Sequence, residues 1–404
     1  MRIAMKPLTS SLTRRLVLLA ATALLTAVAA CTTAPTASTD EQAFDQAVAT
    51  ATDGLVAQSQ KLPAFVAKLI NRAVVVDPML EAGSGQQTAL THQLEDKVAA
   101  RLRSNQFELL PFEPASLGKA QYLLTGTLAR LHGAKAGSNS RVPFQINLAL
   151  VDLKSGNVVA QSSARARDDG QDTTPTPYYR DSPVLVKDKV VDGYIRTAAT
   201  APGRPADADY FQRVNVAMVI NAATTAYDAE RYQEALGLYR NALASPTGEQ
   251  LRSLNGVYLA SWKLGHAAEA EQAFGKVVAH GIANNNLGVK FLFNPGSTEF
   301  WSDPKVSGPY PIWLRQIARN AASSKVCMNV VGHTSHTGGE AYNDRLSEQR
   351  AAVIRQKLAG EAAELGARMK ASGVGFRQNL IGTGTDDASD ALDRRVEFKV
   401  LGCE

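Results

Sequence analysis

The sequence predicts a multidomain α/β protein with a helical middle, and three patterns predict it. Residues 72–167 mix short apolar runs with an amphipathic helix. Residues 214–281 echo themselves at an offset of 35. From Leu287 onward, strand-like and helix-like stretches alternate to the end. At 404 residues the chain is long enough for two or three cores.

Composition is ordinary for a globular protein: 45% hydrophobic and 20% charged, with a net charge of +5. Four of the positive charges, Arg2, Lys6, Arg14 and Arg15, fall in the acid-free first 30 residues, which leaves +1 from Cys31 onward. That balance gives no clustered basic face for nucleic acid.

Residues 1–30 read as a targeting segment. Arg14-Arg15 precedes an apolar run from Leu16 to Ala30, shorter than the roughly 20 residues a spanning helix needs. The run ends Val28-Ala29-Ala30-Cys31, which resembles the lipobox of bacterial lipoproteins. That resemblance implies cleavage before Cys31 and acylation of it (palmitate among the chains), with Thr32 favouring sorting to the outer membrane. The plain alternative is a secretory signal with a chance cysteine. Residues 31–40 are a polar tether.

Cys327 and Cys403 remain as a pair for an oxidising compartment. Cys327 opens the apolar strand Val326–Val331, and Cys403 follows the strand Val396–Leu401. If those strands are antiparallel neighbours, a disulfide closes the long loop between the cysteines; two free thiols are the alternative.

Residues 41–167 form the expected N-terminal α/β domain. A helix over 41–71 precedes the buried-strand run Ala73–Val76. Leu90, Leu94, Val98 and Leu102 recur every four residues, one face of a helix. Strands follow at Phe107–Leu110, Tyr122–Leu131 and Phe144–Leu150, and the turn Asp152–Gly156 leads into another at Asn157–Ala164. The order, with YLLTGTLARL and LALVDLKSGNVVAQS, resembles the periplasmic CsgG/LpoB-like domain. That implies a role in activating wall synthases or in secretion assembly. His92 and His132 are isolated and suggest no site.

Residues 168–213, rich in Asp, Thr, Pro and Gly, read as a linker around one apolar element, Val184–Ile195. Tyr178 and Tyr179 are either a partner-docking spot or, the plainer reading, loop tyrosines lying on a neighbouring domain. Residues 214–283 carry the repeat: Tyr232-Gln-Glu-Ala235 answers Ala267-Ala-Glu-Ala270, and Tyr239 answers Phe274. The period resembles tetratricopeptide helix pairs. Two repeats are fewer than such arrays need alone, so they read as a spacer and packing module rather than a peptide groove.

Over 287–404 the expected order is strand (Val289–Phe293), helix (Ile312–Ala322), strand (Val326–Val331), helix (Asn343–Leu358), helix (Glu361–Ala371), then strands at Gln378–Ile381 and Arg395–Leu401. Asn343 and Arg350 lie two helical turns apart, hence on one face. Four separated motifs occur here in order: VGHT…G (331–338), NxxLSxxRA (343–351), IGTG (381–384) and DRRVE (393–397). Together, over 287–403, they resemble the OmpA-like C-terminal domain, an α/β sandwich that grips the peptide stem of peptidoglycan at diaminopimelate.

The resemblance carries ligand contacts onto Thr334, Ser335, Asn343, Arg350 and Arg394. It departs from the family at Ser335, where the family has an aspartate. Losing a charge-assisted hydrogen bond costs about 1.5–3 kcal/mol, one to two orders of magnitude in affinity; Asp344 or Asp386 are candidates to replace the charge. His333 and His336 form H-x-x-H without a third ligand of matching spacing, so no metal or other cofactor is expected. No nucleophile elbow, triad or paired carboxylates suggest an enzyme.

The resemblance thus implies an outer-membrane lipoprotein, lipid-anchored and facing the periplasm, that holds peptidoglycan non-covalently. A scaffold or activator with weakened wall affinity, binding a protein partner through residues 41–281, is the alternative.

Overall fold

The computed structural model describes residues 40–59, 72–131, 142–294, 296–381, 384 and 389–403. The targeting segment with Cys31, nearly all of the tether, His132 and Asp386 lie outside them.

The first sheet comprises β1 (Glu41–Gln42), β2 (Ala73–Val76), β3 (Leu80–Glu81), β4 (Glu108–Leu110), β5 (Tyr122–Arg130), β6 (Phe144–Asp152) and β7 (Val158–Ala166). Its order is β1-β7-β6-β5-β2-β4, with β3 beside β5. Strands β5, β6 and β7 form an antiparallel meander, while β2 pairs in parallel with β4 and β5. The β6–β7 turn closes as Ser155 N donates to Asp152 Oδ1 at 2.7 Å, with Gly156 in the left-handed region at φ 71°.

Alternation sends neighbouring side chains to opposite faces. Leu124 and Leu150 pack beneath helices α1 (Phe44–Ser59) and α2 (Ala89–Ser104), where Leu90, Leu94, Val98 and Leu102 are all buried. Leu123 and Val151 face the other way, against Val191, Tyr194 and Tyr210. The sheet is therefore covered on both sides. Helix α2 opens on a capping box between Thr88 and Thr91.

Between the sheets run helices α3 (Lys189–Ala198), α4 (Val214–Asp228), α5 (Tyr232–Ala244), α6 (Leu251–Lys263) and α7 (Ala267–Ala283), the last four packed each on the next. Buried Asp188 ties two of them: its Oδ1 caps α3 through Val190 N, and its Oδ2 accepts from Leu251 N at 3.0 Å. A short helical turn, Pro177–Asp181, lies under these helices with Tyr178 and Tyr179 fully buried.

The second sheet holds β8 (Leu287–Val289), β9 (Cys327–Gly332), β10 (Met369–Gly373) and β11 (Val396–Leu401) in the order β10-β9-β11-β8. Helices α8 (Tyr310–Ser323) and α9 (Glu340–Glu361) connect them. Residues 183–185 extend the β8 edge: Leu185 N donates to Gly288 O, and Lys290 N to Pro183 O at 2.8 Å. The expected antiparallel neighbours are β9 and β11, with Leu401 opposite Cys327, and a disulfide joins Cys327 to Cys403 at a Cα separation of 5.2 Å.

Three local expectations are corrected. The stretch expected as a helix over Glu361–Ala371 continues α9 for one residue, makes one turn at Leu365–Arg368 and then enters β10. Its Ala- and Glu-rich sequence favours helix, but parallel pairing of Met369–Gly373 with Met328–Gly332 overrides that propensity. Residues Gln378–Ile381 are not a strand; their amides at Leu380 and Ile381 are taken by Asp393 Oδ1 instead. Strand β8 stops at Val289, because the chain turns away into the aromatic cluster of Phe291, Phe293, Phe300 and Tyr310.

One buried cluster runs from Tyr178 through α4–α7 to Phe291, Trp313, Met328 and Phe398. The second sheet and the helices thus share a core. Helix α9 crosses β9 closely because residue 332 is glycine: a Cβ there would sit 2.1 Å from Ser347 O.

Candidate ligand-binding cleft

The turn after β9 is pinned on two sides. His333 N donates to Arg395 O at 3.0 Å, and Thr334 N donates to Gly375 O at 3.0 Å. Thr334 and Ser335 are buried there, and the Thr334 hydroxyl has no partner among the described residues. Across the turn, α9 presents Asn343, Leu346 and Arg350 along one face. Asn343 Nδ2 donates to Thr337 O and Gly339 O, holding the loop that leads into the helix. Arg350 Nε and Nη2 donate to the carbonyls of Ser297 and Asn294, and its guanidinium lies 4.9 Å from the Phe293 ring centroid.

Thr334, Ser335, Asn343, Arg350 and Arg394 all line one cleft of about 820 Å³, a size suited to a small ligand. Sequence reasoning did not anticipate its other wall. Arg180, Asp181 and Ser182 come from residues 168–213, and Tyr258, Trp262 and Lys263 come from α6. No local motif marks these residues; only the fold brings them opposite the turn. Trp301 and Tyr342 are exposed large apolar side chains, and both line the cleft.

The lining is strongly cationic. Arg180, Lys263, Lys290, Lys305, Arg350 and Arg394 face a single described carboxylate, Asp181. That carboxylate is bound by Lys263 Nζ at 2.8 Å, the Tyr227 hydroxyl at 3.0 Å and Arg180 Nε at 3.2 Å. Burial would raise its pKa, but these contacts, Lys263 first, hold it below the ordinary value. Lys290 moves the other way: desolvation brings its ammonium down to about 8, helped by the charges of Arg180 and Arg394 against that of Asp181.

Other candidates lie elsewhere or serve the frame. Asp344 Oδ1 is paired with Arg377 Nη1 at 2.6 Å and is not part of the cleft lining. Arg395 braces the frame through Glu397 and the carbonyls of Leu392 and Gln378. His333 is buried with Nε2 3.6 Å from Glu397, and burial lowers its pKa, whereas His336 is exposed and packs edge-on against Phe376. Among the described residues no three His, Cys, Asp or Glu side chains are grouped to hold a metal. No helix among them is long and apolar enough to cross a membrane.

A mixed four-stranded sheet, helices α8 and α9 and a cationic cleft at the β9–α9 turn define a domain of α/β type. The OmpA family model matches residues 292–392, so this stretch is an OmpA family domain within a longer chain. A segment of 71 residues is 39% identical to outer membrane porin F of Pseudomonas aeruginosa, spanning 18% of this chain and 20% of the porin's length. Among solved structures, the peptidoglycan-associated lipoprotein of Burkholderia pseudomallei is similar at 27% identity, covering 28% of this chain and 89% of that one, with a TM-score of 0.23. The cell wall anchor of the Pseudomonas aeruginosa T6SS matches at 24% identity, over 29% and 80%, with a TM-score of 0.24. The periplasmic domain of Helicobacter pylori MotB matches at 19% identity, over 29% and 74%, with a TM-score of 0.24.

Proposed function

We propose that this protein is a non-enzymatic envelope anchor that binds the peptide stem of peptidoglycan through its OmpA family domain. One observation carries the reading: residues from three separated motifs, Thr334 and Ser335, Asn343 and Arg350, and Arg394, converge on one cleft within or beside the matched segment. A guanidinium offers a carboxylate two parallel hydrogen bonds, and diaminopimelate presents a carboxylate. Thr334 adds a hydroxyl, and Asn343 sets the loop between the two.

In this reading Cys31 carries lipid, residues 31–40 form the tether, and the chain links the outer membrane to the wall from the periplasmic side. The Cys327–Cys403 disulfide supports an oxidising compartment. Residues 41–167 and 214–283, in their CsgG/LpoB-like and tetratricopeptide-like readings, would serve a protein partner. Ser335 favours a second reading, a scaffold with reduced wall affinity.

The test is co-sedimentation of the whole chain with isolated peptidoglycan, because the domain shares its core with α4–α7. Wild type sediments; Arg350→Ala stays in the supernatant, with Arg350→Lys intermediate. Ser335→Asp, restoring a carboxylate, tightens binding by about tenfold or more. A wild type left wholly in the supernatant overturns the anchor and leaves the scaffold.

A further inference from the structure

A guanidinium and a few hydroxyl and amide groups account for the grip on a charged amino acid; two exposed aromatic rings in the same cleft do not. Among the described residues the large apolar side chains left exposed are Val159, Trp301, Tyr342 and Leu401. Val159 and Leu401 lie on different sheets, in β7 and β11. Trp301, 38% exposed, and Tyr342, 47% exposed, both line the cleft that holds Arg350. Single exposed apolar residues are ordinary, but large rings left open together in one cavity mark a contact surface.

Both rings belong to the frame that Arg350 grips. Residues 292–294 and 296–301 fold back on one another, with Phe293 bridged to Phe300 and Trp301 N donating to Leu292 O at 3.0 Å. Arg350 donates to the carbonyls of Asn294 and Ser297 in that turn and packs against the Phe293 ring. Trp301 is thus paired one residue away from the ring that Arg350 covers. Tyr342 reaches the same turn from α9: a Cβ added at Gly296 would lie 3.0 Å from its hydroxyl.

In peptidoglycan the stem hangs from a lactyl ether on a sugar, and about two residues separate that group from diaminopimelate. Extended chain covers about 3.5 Å per residue, so a diaminopimelate held at Arg350 keeps its sugar within roughly 10 Å. A pyranose ring has a face of C–H groups whose partial positive charge suits the electron-rich face of an indole or phenol ring. We propose that Trp301 and Tyr342 form a saccharide subsite that receives the sugar bearing the bound stem, so that the cleft prefers stems still attached to glycan over released peptides. This rests on the peptidoglycan reading and adds a specificity to it. A protein partner seated on the two rings is the competing occupant, and it entails no preference for the sugar.

The experiment is calorimetric titration of the whole chain with two ligands. One is a diaminopimelate-containing stem tripeptide carried on N-acetylmuramic acid. The other is the same tripeptide with an N-lactoyl group, which keeps the acyl linkage and the charge but lacks the sugar ring. Wild type binds the muramyl peptide on the order of tenfold more tightly than the lactoyl peptide. Trp301→Ala removes that preference with lactoyl-peptide binding retained, Tyr342→Ala reduces it, and Trp301→Phe keeps part of it. Arg350→Ala weakens both ligands alike. Equal affinity of wild type for the two ligands overturns the proposal and leaves the anchor standing. So does a preference that survives both alanine variants, or an equal loss of both ligands in them. Binding of neither ligand by wild type removes both readings.

Discussion

Trp313 and Tyr258 share a buried hydrogen bond: the indole Nε1 of α8 donates to the tyrosine hydroxyl of α6 at 2.8 Å. It crosses from the OmpA family domain to the helices before it, and both side chains line the cleft. The helical region is therefore part of the cleft wall.

Tyr258→Phe removes the acceptor and strands the indole N–H in a buried site. We expect a loss of about 1–3 kcal/mol, read as a lower urea midpoint. Because one core spans both regions, the shift appears in a single transition followed by tryptophan fluorescence. An unchanged midpoint would mean that the bond is dispensable.

Gly256→Ala tests the crossing of α5 and α6. An added Cβ would lie 2.4 Å from the ring of Tyr239, which is fully buried and fixed by a 3.0 Å contact between its hydroxyl and Thr224. Thermal unfolding should show a loss of about 1–3 kcal/mol. Gly237→Ala is the control: no atom lies within 4 Å of its added Cβ, and the helix should gain on the order of 0.5–1 kcal/mol.

The contribution of Asp77 to stability should fall as pH rises from about 4 to 7. Asp77 is fully buried, and desolvation pushes its carboxyl to about 7 despite a 2.5 Å hydrogen bond from Tyr210 and the charge of Arg252. The folded state keeps this proton while the unfolded chain has released it near 3.8. Between those values the folded state binds more protons, so the group's contribution declines with pH, by about 1.4 kcal/mol per unit at the steepest. Glu95 is shifted the same way by burial. Asp77→Asn should therefore flatten the pH dependence of the denaturation midpoint without abolishing it; an unaltered slope would refute the assignment.

Reduction should destabilise the C-terminal sheet. The Cys327–Cys403 bond spans a sequence separation of 76, worth about 4 kcal/mol in the chain-entropy account. Replacing both cysteines with serine should lower the thermal midpoint, and added reductant should then have no further effect. A double variant as stable as wild type would show the bond to be neutral.

Much of the C-terminal domain is legible residue by residue. The apolar run Val326–Val331 and the stretch Val396–Leu401 give the strands, and the seven-residue spacing of Asn343 and Arg350 places both on one helical face. The failure over Glu361–Ala371 is equally instructive. Nothing local distinguishes Met369–Gly373 from the helix-favouring residues before it, since its strand exists through pairing with β9. The fate of residues 168–213 is similar: a Pro- and Gly-rich composition reads as linker, yet Val184 pairs with Val289, and Tyr178 and Tyr179 are core.

The sequence by itself determined the strand–turn–helix motif, the side chains it presents and those elements whose pattern is local, because propensity, periodicity and spacing act over a few residues. The tertiary structure decided what stands opposite them. Asp181, Lys263 and Lys290 carry no motif, and they come to line one cleft only where 183–185 joins β8 and α6 borders the same cavity as the turn after β9. Electrostatics and burial depend on distance in space, and residues 180, 263, 290 and 350 become neighbours only when the chain folds.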